Sequence, residues 1–202
     1  MRLRGFSCHY LDEGAGEPIV MLHGNPTWSF YYRSLVKGLS GGYRVVVPDH
    51  IGCGLSDKPG ERRYDYRLTS RVADLEALLG RVGLKGPLTL VLHDWGGMIG
   101  MAYAVAHPER IRRLVLLNTA AFLPPDGKRL PLRLRLIRDM RRLSAPLVLK
   151  LNLFARAALW MASRRGLAAD VRAGLIAPYN NPANRIATLK FVQDIPLAPR
   201  DP

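Results

Sequence analysis

The residues best suited to chemistry are His93-Asp94-Trp95-Gly96-Gly97, which follow the apolar run 88–92 and lead into a helical pattern. A strand that ends in such a tight turn holds one side chain exposed at its carboxyl end, backed by a helix N-terminus, as in a nucleophile elbow. Asp94 stands at the tip, where most elbows carry Ser. Gly96 and Gly97 let the backbones of strand and helix approach closely, and the free N–H groups of the first helical turn stabilise a developing anion. The same residues also suit Asp94 as a plain N-cap of the following helix, so the pentapeptide alone leaves both roles open.

A carboxylate nucleophile attacks an electrophilic carbon and leaves a covalent ester. Resolving that ester by hydrolysis takes a His to activate water and an acid to orient the His. The site also needs donors for an oxyanion or a leaving group. The backbone N–H groups of Trp95 and Asn25 qualify, as do the Trp95 indole and the Asn25 amide. Asn25 precedes Pro26 and also suits an ordinary turn.

The elements that must position these groups follow from periodicity. Strands are expected over residues 6–12, 18–22, 44–48, 88–92 and 111–117, and helices over 29–39, 68–82 and 97–106. Runs of Val, Leu and Ile alternating with helices predict an α/β fold, a mostly parallel sheet with helices on both faces. Ligands bind such sheets outside the carboxyl ends of the strands, and the loops at Asn25, at 49–56 and at Asp94 all lie on that edge. Beyond Pro124-Pro125 the strand periodicity stops. Apolar residues at 132, 136, 140 and 143, with arginines at 133, 135, 138, 141 and 142, predict one basic amphipathic helix, and further helical stretches follow around 147–161, 168–176 and 184–192. The expected division is 1–125 for the N-terminal part of the core, 126–193 for an all-helical cap, and 194–202 for the start of a return to the core.

Composition narrows the classes. The 202 residues carry 48% hydrophobic side chains, enough for one domain with a real core. No window approaches the roughly eighteen consecutive apolar residues of a bilayer span, and the N-terminus lacks a signal-peptide run, so a cytoplasmic protein is expected. Cys8 and Cys53 are too few for a disulfide framework and are not spaced as metal ligands. Residues 126–202 hold 15 Lys or Arg against 5 Asp or Glu, whereas residues 1–125 hold 15 against 11. That basic last third attracts an anionic partner or is a solvated face, but no nucleic-acid motif accompanies it, and no nucleic acid is expected.

Several segments resemble the haloalkane dehalogenase branch of the α/β-hydrolases: H-G-N-P-T-W at 23–28, P-D-H-I-G-C-G-L-S-D-K-P at 48–59 and H-D-W-G-G at 93–97. Within it, Y-D-Y-R-L at 64–68, L-N-T-A-A-F at 117–122, A-P-Y at 177–179 and N-R-I-A-T-L-K-F-V-Q-D-I-P-L at 184–197 resemble the β-lactone decarboxylases of bacterial long-chain olefin biosynthesis. The resemblance implies an α/β-hydrolase fold, Asp94 as nucleophile, and Asn25 and Trp95 as oxyanion or leaving-group donors. It implies an apolar pocket under the helical cap and a hydrophobic substrate, a dialkyl β-lactone or, in the neighbouring family, a haloalkane. No metal or organic cofactor is implied, and association with other enzymes of the pathway is. It also implies later strands delivering a catalytic His. The chain ends at Pro202 before them, so a C-terminally truncated core is expected, lacking both general base and acid and with impaired turnover of this chain alone. One dehalogenase subclass places the acid where this sequence has Asn118. His9, His23, His50, His93 and His107 are assigned to structure.

Overall fold

The computed structural model of the protein describes residues 1–121, 130–161 and 163–197. The Pro124-Pro125 break, and with it the expected boundary at 125/126, lies outside the described residues, as does the end of the expected return to the core.

A five-stranded sheet forms the centre, built from β3 (Tyr10–Glu13), β4 (Glu17–Leu22), β5 (Tyr43–Pro48), β6 (Leu88–Asp94) and β7 (Ile111–Thr119) in the order β3-β5-β4-β6-β7. The pairs β4–β5, β4–β6 and β6–β7 are parallel, and β3 is antiparallel to β5. Residues 6–12 were expected to form one strand. They instead divide between β2 (Phe6–Ser7), hairpinned to β1 (Arg2–Leu3), and the edge strand β3. The chain turns between them because the His9 carbonyl accepts the Asp49 N–H and the His9 N–H donates to Ser56 Oγ.

Helices α1 (Arg33–Leu39), α2 (Leu68–Val82) and α3 (Trp95–Ala106) connect the strands. Leu75, Leu78 and Leu79 of α2 are buried among Val20, Val46, Leu90 and Ile99 in the larger core cluster. Each such side chain contributes roughly 1.5–3 kcal/mol on leaving water. α2 ends where Gly83 turns left-handed at φ +67°, a conformation that disfavours other residues. On the other face, Met21, Val45, Val47 and Tyr32 form a smaller cluster. The outer strand β7 leaves Leu114, Val115 and Leu116 exposed.

The later helices are α4 (Leu132–Asp139), α5 (Arg141–Leu149), α6 (Leu153–Met161), α7 (Ala169–Ile176) and α8 (Ile186–Gln193). The single amphipathic helix expected through residue 143 is two helices. Met140 leaves the helical region at φ −93°, ψ 58°, and Ser144 Oγ donates to the Ile137 carbonyl across the break. A second break falls at Asn152, whose φ of +54° is stabilised by its amide donating to the Tyr179 carbonyl. Apolar periodicity was insensitive to both because it continues in phase across them. Among the described residues no single helix is long and apolar enough to cross a membrane.

Candidate active site

Three loops meet at the carboxyl ends of β4, β5 and β6. Asp94 closes β6 at φ +50°, ψ −124°, a strained backbone for a residue with a Cβ, and α3 begins at the next residue. Its side chain makes no capping bond to α3, which removes the N-cap alternative. Oδ1 instead accepts the backbone N–H of Asn25 at 2.7 Å.

The small residues around the elbow are required by contact. A Cβ on Gly24 would land on the Asp94 side chain, and one on Gly96 would land on the Leu22 carbonyl of the neighbouring strand. One on Gly97 would strike Thr119, whose hydroxyl donates to the Asp94 carbonyl at 2.6 Å. The helix start thus lies against the sheet backbone, closer than any side chain permits. α3 starts two residues earlier than periodicity indicated, because Trp95 and Gly96 already have helical geometry.

Helix α8 lies over this rim. The Asn25 amide donates to the Thr188 carbonyl at 3.0 Å, and the Trp95 ring packs 5.2 Å from Phe191. Asn25 Oδ1 is buried with no partner among the described residues. Of the four expected donors, the Asn25 N–H therefore holds the carboxylate itself and the Asn25 amide holds α8. Trp95 is the first residue of α3, so its N–H has no carbonyl to meet within the helix.

The histidines have other partners. His50 N–H donates to His23 Nε2 at 3.1 Å, so His23 carries its proton on Nδ1 and donates it to the Gly24 carbonyl at 2.8 Å. His50 Nε2 donates to the His23 carbonyl. Burial lowers the pKa of both rings, and the neighbouring His23 lowers that of His50 further, so both are neutral braces of the loop carrying Asn25. His93 stacks on Tyr31 at 4.4 Å, and burial lowers its pKa as well. His9 contacts Asp49, and His107 contacts Glu76 and Glu109. Among the described residues no His hydrogen-bonds or ion-pairs with Asp94, although its charge partly offsets the burial of the neighbouring His93. Asn118, in the strand beside the elbow, has a positive φ of +40°.

Several buried charges escaped sequence reasoning, Asp49 and Arg71 among them. Asp49 is fully buried after β5. It accepts the Ser29 N–H at 2.6 Å, the Leu55 N–H at 2.9 Å and a 2.8 Å bond from His9. Burial pushes its pKa up, but the bonds from His9 and from the Leu55 and Ser29 N–H groups outweigh that and hold it below the usual carboxylate value. Arg71, 2% exposed, lies 3.7 Å over the Phe191 ring and 5.6 Å from Trp95, and pairs with Asp194. Its signal was available: position 71 lies between the apolar positions 68 and 75 on the inward face of α2. Cys8 and Cys53 are buried, and burial raises their thiols to about 11 and about 12, so both are packing residues.

A family model for the alpha/beta hydrolase fold matches residues 17–172. The chain belongs to the α/β-hydrolase family. This α/β-hydrolase is 54% identical to a cis-3-alkyl-4-alkyloxetan-2-one decarboxylase of Shewanella oneidensis and 50% identical to one of Xanthomonas campestris pv. campestris, in each case over 98% of the chain. It spans 62% and 68% of the length of those two proteins. A haloalkane dehalogenase of Mycobacterium marinum is 39% identical over 96% of the chain and 63% of its own length. Among solved structures, a putative ancestral haloalkane dehalogenase superposes with a TM-score of 0.88 at 26% identity, covering 99% of this α/β-hydrolase and 70% of that chain.

Proposed function

We propose that this α/β-hydrolase is a β-lactone decarboxylase that converts a cis-3,4-dialkyl-β-lactone to a cis-alkene and carbon dioxide, with Asp94 as nucleophile. The observation carrying this reading is the strained Asp94, whose Oδ1 is held by the Asn25 N–H while the strand end presents the carboxylate under α8. Its likeness to decarboxylases at 54% and 50% identity supports the substrate class.

The chemistry follows from that arrangement. Asp94 Oδ2 attacks the ring carbon bearing oxygen, the C–O bond breaks, and the former lactone oxygen leaves as a free carboxylate. Loss of carbon dioxide then sends the C–C electron pair into the new double bond and expels Asp94. Inversion in the first step followed by anti fragmentation in the second yields the cis alkene. No water enters and no proton leaves, so the sequence closes without a general base. The Asn25 N–H on Oδ1 and the Trp95 donors stabilise charge on the attacking carboxylate and on the freed one. We assign residues 126–193 to a cap enclosing an apolar substrate pocket, other enzymes of the same pathway as its protein partners, and the cytoplasm as its location.

The second reading, haloalkane dehalogenation, is favoured by the likeness to the Mycobacterium marinum enzyme. It needs water to resolve the Asp94 ester. Incubation with a dialkyl β-lactone and separately with a bromoalkane distinguishes them. The decarboxylase releases carbon dioxide and alkene from the lactone, whereas the dehalogenase releases bromide from the bromoalkane, each through an alkylated Asp94 that mass spectrometry detects. Sustained bromide release with no carbon dioxide replaces the first reading by the second. If neither product nor adduct forms, both fail, and a non-catalytic basic interaction module remains.

A further inference from the structure

We propose that the cleft between the α5–α6 junction and the segment following α7 is a phosphate-binding site, distinct from the rim that carries Asp94. The cleft has a volume of about 450 Å³ and is lined by Lys150, Asn152, Arg156, Tyr179, Asn180 and Arg185, together with apolar neighbours. That size suits a small ligand or a headgroup. Three of the lining side chains are cationic and none is acidic. Lys150 and Arg156 are exposed and form no ion pair among the described residues, whereas Arg185 is 8% exposed and anchored to the carbonyls of Leu149, Lys150 and Tyr179.

Like charges gathered around one cavity repel, and nothing acidic on its walls relieves them. Arg185 registers this: burial lowers its pKa, and the positive charge of Arg156 lowers it further. An oxyanion seated among the three cations removes the repulsion, and a phosphate, free or in a headgroup, offers at least two anionic acceptor oxygens to guanidinium and ammonium donors. The amides of Asn152 and Asn180 add polar wall. Tertiary structure builds the cleft from separate parts, since Lys150 follows α5, Arg156 lies in α6 and Arg185 precedes α8. Exposed Leu151 and Leu153 stand beside it, so the phosphate belongs either to a free ion or to the headgroup of a lipid whose acyl chains meet those leucines.

The test titrates the 202-residue protein with inorganic phosphate by calorimetry and, in parallel arms, measures sedimentation with phosphatidylglycerol and phosphatidylcholine vesicles. Saturable single-site phosphate binding is expected, weakened about tenfold or more by Lys150→Gln and by Arg156→Gln, as for loss of one charge-assisted bond. The control is the double variant Arg133→Gln/Arg135→Gln, which removes as much charge from α4 as Lys150→Gln/Arg156→Gln removes from the cleft. Vesicle binding without free-phosphate binding, lost only in the cleft double variant, assigns the site to a headgroup. Equal losses in the two double variants mean general surface charge and overturn the proposal, as does absence of binding in every arm. If the cleft double variant does not fold, a phosphate-induced rise in melting temperature that is present in the native protein and absent in Arg156→Gln decides; a rise retained in Arg156→Gln refutes it.

Discussion

Replacing Asp49 by Asn isolates the support beneath the rim. The carboxylate is fully buried and accepts three bonds, from Ser29, Leu55 and His9. An amide of the same shape keeps one acceptor, which the 2.6 Å Ser29 bond retains, and turns an NH2 toward the Leu55 N–H and His9. His9 can change tautomer to accept, but the Leu55 N–H cannot, and the remaining bonds lose their charge. At about 1.5–3 kcal/mol for each bond to a charged group, and with a smaller desolvation cost for the amide, the net loss is about 3–5 kcal/mol. That is a large share of the roughly 5–15 kcal/mol holding a domain together. Urea denaturation of both proteins at neutral pH measures the difference. Because the folded pKa of Asp49 is depressed, its contribution is fully present above the unfolded value near about 3.9 and is lost as pH falls through the lower folded value. The gap between native protein and variant should therefore be flat from neutral pH down to about 4 and narrow below it. A loss under about 1 kcal/mol, or a gap that widens in acid, refutes this account.

The elbow provides the remaining predictions. Asp94→Gly relieves a φ of +50° but also loses the Asn25 N–H bond to the carboxylate, so stability should stay within about 1 kcal/mol of the native protein while carbon dioxide release and adduct formation are abolished; thermal melting and product assay read the two together. Gly96→Ala drives a Cβ into the Leu22 backbone and should cost about 1–3 kcal/mol or more by denaturant titration. Gly24→Ala meets the Asp94 side chain instead, so its main effect should be at least a tenfold loss of adduct formation. Arg71→Met leaves Asp194 buried with only Arg67 and the Leu68 N–H, and should destabilise by about 3 kcal/mol; a change below 1 kcal/mol in urea denaturation means that Arg67 suffices.

Sequence periodicity was enough for the strands and helices that touch the core, because burial imposes the pattern it reads. Leu68–Val82 matches its expected helix end to end, and the three rim loops follow from parallel strands that share a carboxyl edge. The resemblance of the 23–28, 48–59 and 93–97 motifs pointed to the α/β-hydrolase family, which the relatives bear out. Other features depend on which atoms meet in space. That Asp94 accepts from Asn25 and does not cap α3 rests on a bond spanning 69 positions, and no local pattern encodes it. The same holds for α8 over the rim, reached through Thr188 and Phe191, and for Arg71, a charged residue that faces inward because the Phe191 ring packs against its guanidinium. The helix breaks at Met140 and Asn152 belong here too, since Ser144 reaches the Ile137 carbonyl across the first and Asn152 reaches the Tyr179 carbonyl at the second. Local spacing determines which face of an element is buried. The partners on that face, and so the protonation state of His23 and the direction of the Asp94 carboxylate, are decided only when distant segments pack.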